Sequence, residues 1–256
     1  MLGWFSKYVF LGRAQRKLCG RGLLILTYHR FGPTPPHAPD PYLYDTPEDL
    51  DAHLTAVKAS GLQLAPFAET LGGGPFQPNT ATVTLDDGCV NTLEQAVPVF
   101  ARHKVRAIQY FVSGRLGGRN DWDLPKEDMP ERLMDVAQIR EWIAAGHDVG
   151  SHTITHRNLK TLSVAEAREE ISGSRKMLED LLGVPVRHFC FPYGGWQLQA
   201  LRELVAEAGY LSACTTRFGV ALPDQDRWTM PRVTPLPAGR LIEKAWHRAR
   251  RKLHGL

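Results

Sequence analysis

"TVTLDDG", residues 82–88, runs from β-branched and apolar residues into two adjacent carboxylates. A short apolar run of this kind reads as a buried strand, and two acids at its end form a polar tip. The same form recurs on both sides. "LLILTYH" (23–29) ends in His29, "AIQYFV" (107–112) follows, "DVGSH" (148–152) ends in His152, and "HFCFP" (188–192) leads into Tyr193. "LSACTT" (211–216) and "RWTMPRV" (227–233) complete seven such runs.

Between the runs lie helical patterns with recognisable ends. "TPEDLDAHLTAVKASG" (46–61) has a capping Thr46, proline at the first helical position and a glycine stop. Further helices are predicted over about 92–103, in "DVAQIREWIAAGH" (135–147), in "SVAEAREEISGSRKMLEDLLG" (163–183) and in "LQALRELVAEAG" (198–209), with a last one over about 238–252. "FGPTPPHAPDPY" (31–42) reads as a loop and 114–135 as an irregular surface insertion. Strands alternating with helices predict a parallel sheet with helices outside, and seven pairs predict a barrel or an incomplete one. In such barrels the chemistry gathers at the carboxyl ends of the strands, where His29, Asp86, Asp87, His152 and Tyr193 stand.

A chain of 256 residues, 43% hydrophobic and 23% charged, can fill one large core without disulfides. The expected division is a basic aromatic segment, 1–21, and a barrel, 22–256. Four widely spaced cysteines form no CxxC pair and read as buried thiols in a reducing compartment. The net charge of +4 is carried by the ends: Lys7, Arg13, Arg16, Lys17 and Arg21 at one, Arg240, Lys244, Arg248, Arg250, Arg251 and Lys252 against Glu243 at the other. The middle is net acidic, which argues against a nucleic-acid surface. No run is long enough to span a membrane, and the opening "MLGWFSKYVFLGRAQRKL" does not have the order of a signal peptide. Residues 1–20 fit either an amphipathic helix in a membrane interface or a helix packed on its own domain.

The chemistry starts from the paired acids. Two adjacent carboxylates repel unless a cation is near. "SHTITH" (151–156) offers His152 and His156 four apart, a spacing that on a helical turn puts both imidazoles on one face, as a divalent metal requires. Two imidazoles and one carboxylate make an open three-ligand site with a place for water. The second carboxylate is then available as a base.

"TLDDG", "SHTITH" and "FPYGG" together resemble the polysaccharide deacetylases of carbohydrate esterase family 4, from about residue 22 to 235. The resemblance implies a distorted (β/α)7 barrel and hydrolysis of the acyclic amide C–N bond of N-acetylated amino sugars in a polysaccharide or glycan precursor. It implies Asp86 as catalytic base and Asp87, His152 and His156 as metal ligands. It also implies an oxyanion contact from the Tyr193 backbone N–H. Zinc is the expected ion, with cobalt or nickel also suited to this donor set.

Two departures from the family pattern qualify the match. The usual C-terminal L-x-H acid is absent, and the early "TYHRFG" (27–32) resembles the permuted branch that includes poly-N-acetylglucosamine deacetylases. His29 is therefore expected as the acid, against a competing role as a hydrogen-bond partner of the Pro-rich loop. Cys190 stands where many members carry an arginine that orients the base, and Arg232 is the expected replacement, against a purely structural ion pair. Cys190 is not expected to be a nucleophile, because nothing adjacent in sequence lowers its pKa. His147 reads as structural, and Trp122, Trp196 and Trp228 as sugar-stacking or core residues. Two rival functions stay open: a deformylase or deacylase of a lipid-linked amino sugar, and a degenerate module that only binds glycan. The expected place of action is cytoplasmic, peripheral to the inner membrane.

Overall fold

The run that contains "TVTL" forms β5, Thr80–Leu85, and beside it lies β1, Leu23–Tyr28; both are buried at every position. Such strands are covered on two faces. The computed structural model describes residues 19–36, 38, 40–70, 79–122 and 130–235. The other strands of the main sheet are β6 (Ile108–Phe111), β7 (Asp148–Ser151), β8 (His188–Cys190), β9 (Ser212–Phe218) and β10 (Met230–Arg232). They stand in the order β1-β5-β6-β7-β8-β9-β10, every neighbouring pair parallel. Val233, just past β10, then bridges Leu26 of β1. Its N–H donates to the Ile25 carbonyl (2.8 Å) and its carbonyl accepts from Thr27 N–H (3.0 Å). Seven strands thus curl into a nearly closed barrel, as expected.

Period-two alternation sorts the side chains. Leu23, Ile25, Ile108, Tyr110, Cys190, Cys214 and Met230 cluster with one another. Leu24, Leu26, Val83, Leu85, Phe111 and Phe189 belong to the larger core shared with the helices. Those helices are α1 (Pro47–Ala59), α2 (Phe67–Thr70), α3 (Val97–His103), α4 (Val136–Ala144), α5 (Val164–Arg168), α6 (Ser174–Leu182) and α7 (Gln199–Glu207). Reciprocal capping boxes start three of them: Thr46 with Asp49, Asp135 with Gln138, and Ser163 with Glu166.

Three details differ from expectation. The helix over 92–103 opens with a π-turn, Thr92–Ala96. A second π-turn, Glu169–Gly173, interrupts the helix over 163–183 between α5 and α6. The Pro-rich stretch is framed by two paired two-residue strands, β2 (Arg30–Phe31) and β3 (Tyr44–Asp45), with a 3₁₀ turn at Pro41–Leu43. One further short strand, β4 (Gln63–Leu64), pairs with the start of β5. Residues 1–18 and 236–256 lie outside the described residues, and so do the expected N-terminal amphipathic segment and the helix over 238–252. Among the described residues no helix is long and apolar enough to cross a membrane.

Candidate active site

The two acids at the end of β5 turn to different cations. Asp86 keeps the line of the strand: its N–H donates to the Tyr28 carbonyl (3.1 Å), and Gln109 Nε2 donates to its carbonyl (2.8 Å). Its carboxylate takes a two-pronged contact from Arg232, Nη1 to Oδ1 at 2.7 Å and Nη2 to Oδ2 at 2.6 Å. Both side chains are buried, and such a fork is among the stronger ionic contacts. Arg232 is itself fixed, donating from Nε to the Thr215 carbonyl (3.0 Å) and from Nη1 to Thr84 Oγ1 (3.1 Å). Burial alone would raise the Asp86 carboxyl, but the Arg232 guanidinium outweighs it and holds the group well below the usual carboxylate range.

Asp87 leaves the strand with φ +73°, and Gly88 follows at φ +85°. Only glycine fits at 88, since a Cβ there would lie 2.6 Å from the Phe111 ring. This turn aims Asp87 Oδ1 at His152 Nε2 (3.7 Å) and His156 Nε2 (3.5 Å). The three donor atoms lie within 4.8 Å of one another, all on buried residues. His152 Nδ1 donates to the Cys190 carbonyl (2.8 Å), and His156 Nδ1 hydrogen-bonds the Tyr193 hydroxyl (3.0 Å). With both Nδ1 atoms engaged, both Nε2 atoms are the ones turned to Asp87, the tautomer arrangement that metal-binding imidazoles need. Burial lowers the His152 pKa, which favours the neutral, ligating form. The donor set fits a divalent ion such as zinc.

A second group, Asp86, His152 and Cys190, is as close together. Its cation is Arg232, whose Nη2 also donates to Cys190 Sγ (3.1 Å). That contact corrects the sequence reading of Cys190, because a guanidinium does stand beside the thiol. Burial nonetheless pushes the thiol well above its ordinary value, so it remains unsuited to nucleophilic attack.

The histidine pair does not sit on a helical turn, as its spacing suggested. It belongs to the loop after β7, with Thr153 at φ +70° and His156 at φ +61°. Ser113 and Gly114 N–H donate to the carbonyls of Thr153 (3.1 Å) and Ile154 (2.9 Å). From the other side the buried Glu170, in the second π-turn, accepts from Ile154 and Thr155 N–H, both at 2.9 Å, and from the Thr155 hydroxyl. Six non-glycine residues among those described have positive φ, and four of them, Asp87, Thr153, His156 and Tyr193, lie here. Such conformations cost on the order of 1–3 kcal/mol each and concentrate at functional sites.

Two of the remaining expected residues, His29 and Tyr193, stand at the same site. His29 Nε2 lies 3.7 Å from Asp86 Oδ2, with its side chain 24% exposed, so it can meet a ligand from outside. Tyr193, at φ +53°, is 40% exposed and follows β8. His147 stays apart: its Nδ1 accepts from Ala107 N–H (3.2 Å) and its ring stacks on Trp142 at 4.2 Å. Trp196 is covered by the Arg217 guanidinium at 5.4 Å, and Trp228 is half-buried against the core. Sequence reasoning missed Glu170, which no spacing distinguishes from Glu169, and missed the stacking of Trp122 on His156.

The family model for polysaccharide deacetylase matches residues 73–213. A chitooligosaccharide deacetylase of Azorhizobium caulinodans is 31% identical over 120 residues, 46% of this chain and 50% of that protein. A chitin deacetylase of Colletotrichum lindemuthianum is 29% identical over 149 residues, 56% of this chain and 55% of that protein. The chain spans about half the length of the curated relatives it matches. Among solved structures, IcaB from Ammonifex degensii superposes with a TM-score of 0.72 at 23% identity, covering 89% of this chain and 97% of that one. The Streptococcus pyogenes deacetylase PplD gives 0.71 at 20% identity, covering 87% and 97%. The two superpositions establish the barrel fold.

Proposed function

We propose that this chain, which belongs to the polysaccharide deacetylase family, removes N-acetyl groups from amino sugars in a polysaccharide or glycan precursor by metal-dependent hydrolysis, with the barrel over 22–256 carrying the chemistry. Asp87, His152 and His156 would hold a divalent ion, zinc before cobalt or nickel, which when bound supplies Lewis-acid polarisation of the acetamide carbonyl and of the attacking water. Asp86 takes the proton of that water, its carboxylate kept ionised and oriented by Arg232. His29 gives a proton to the departing amine, and the Tyr193 backbone N–H donates to the oxygen that gains negative charge.

The observation that carries this reading is the division of the paired acids: Asp86 on a guanidinium, Asp87 on two imidazole Nε2 atoms. A module that only bound glycan would need neither arrangement. The experiment compares Asp86→Asn and Asp87→Asn for bound zinc and for acetate and formate release from chito-oligosaccharides and lipid-linked amino sugars. Asp86→Asn should retain zinc and lose activity by roughly 10²–10⁴-fold, while Asp87→Asn should lose both. An active Asp86→Asn enzyme would remove the base assignment, and formate in place of acetate would change the acyl group. A cytoplasmic place of action, peripheral to the inner membrane, belongs to the same reading. Four buried free thiols support a reducing compartment, and cell fractionation tests it.

A further inference from the structure

We infer that Trp122 is a positioning residue for His156, fixing the imidazole that the metal reading above, on which this rests, assigns as a ligand. The indole and imidazole are stacked, ring centroids 4.4 Å apart and planes at 26°. Tyr193 meets the same imidazole at Nδ1 and edge-on, at 4.7 Å. His156 sits in a left-handed loop conformation, so no helical periodicity fixes its ring. The ring is held instead by its neighbours, and it is only 7% exposed.

What makes Trp122 a fixed surface is the stitching of the chain around it. Asn120, fully buried, donates from its N–H to the Glu131 carbonyl (3.2 Å), and its Oδ1 accepts from Glu131 N–H. Leu133 N–H donates to the Gly118 carbonyl (3.0 Å), and Arg119 bridges Arg132. The 130–134 stretch is in turn laced to the turn after Asp87. Met134 N–H donates to the Gly88 carbonyl (2.9 Å), Val90 N–H to the Arg132 carbonyl (2.9 Å), and Asn91 Nδ2 to Glu131 Oε2 (3.3 Å). One segment therefore ties the backbone beside Asp87 to the ring of His156, and sets the spacing between two donors that lie 69 positions apart in the chain. Partners of ligating histidines that fix ring orientation commonly govern metal affinity by about 10–100-fold.

The test measures zinc affinity by competition with a chromogenic chelator for wild type, Trp122→Phe, Trp122→Leu, Trp122→Ala and, as a rim control, Trp228→Ala. Thermal melts of the metal-free proteins accompany it. Leu and Ala should weaken zinc by about 10-fold or more, Phe should restore it to within a few-fold of wild type, and Trp228→Ala should match wild type. Trp122→Leu keeps apolar bulk and guards against a variant that merely unfolds. Equal zinc affinity in wild type and Trp122→Leu, or equal weakening by Phe and Leu, overturns the inference. Zinc binding that depends on the ring without acetate release supports it and removes the deacetylase reading. No zinc binding by wild type overturns both.

Discussion

Arg232 is the residue on which most contacts at the site converge: Asp86, Cys190, Thr84 and Thr215 all meet it. Removing one member of a buried ion pair leaves an uncompensated charge, at a cost of about 3–5 kcal/mol. Arg232→Met should therefore lower the urea midpoint sharply and abolish activity. Arg232→Lys keeps the charge but loses the fork, and should stay folded with a much smaller activity. A fully active lysine variant would mean that charge alone orients Asp86. The convergence was only half legible in the sequence. Arg232 read as an alternative partner for the base because it ends an apolar run, but the thiol contact joins residues 42 positions apart, and no local pattern encodes it. Trp122 was legible as an aromatic in a loop, not as the face against which His156 rests.

At the scale of elements, the loop after β7 depends on a helix defect. The π-turn Glu169–Gly173 carries the buried Glu170 carboxylate, which satisfies two adjacent loop N–H groups. Such bulges are rare in helices and frequent at functional sites. Glu170→Ala should destabilise by roughly 1–3 kcal/mol, and zinc affinity should fall with it, since the loop holds both imidazoles. Unchanged affinity on an equal melt would show that the backbone contacts from Ser113 and Gly114 suffice. Helix starts were readable because capping is local: Thr46 and Ser163 each find their partner three residues on. The π-turn Glu169–Gly173 was not, because it answers to the loop that Glu170 holds and not to its own sequence. The same holds for "SHTITH", whose four-residue spacing mimics a helical face although Thr153 and His156 are left-handed and the chain there is a loop.

At the scale of the molecule, three histidines that are not part of the site are buried as neutral rings. His53 lies in α1, His147 before β7 and His188 in β8, and burial lowers each from about 6.5 to about 4. Between those pH values the unfolded chain binds more protons than the folded one, so stability rises with pH across the window and is lost as pH falls from 6.5 towards 4. Each histidine contributes on the order of 1 kcal/mol per pH unit there. The urea midpoint should drop steeply from pH 7 to pH 5, and His188→Gln should flatten the drop; a midpoint independent of pH would contradict the burial argument. The barrel itself was legible because seven apolar runs alternate with helical patterns, and several of the runs end in polar residues. The added pairing of β2 with β3, and of β4 with β5, was not, since two-residue strands carry no periodicity. Finally, the closing seam at Val233 lies next to Arg232, whereas the three residues proposed to hold a metal, Asp87, His152 and His156, stand well before it in the chain. During synthesis those three residues therefore leave the ribosome before the guanidinium that pairs with Asp86. The base proposed at Asp86 thus gains its guanidinium partner only when the last stave locks against the first.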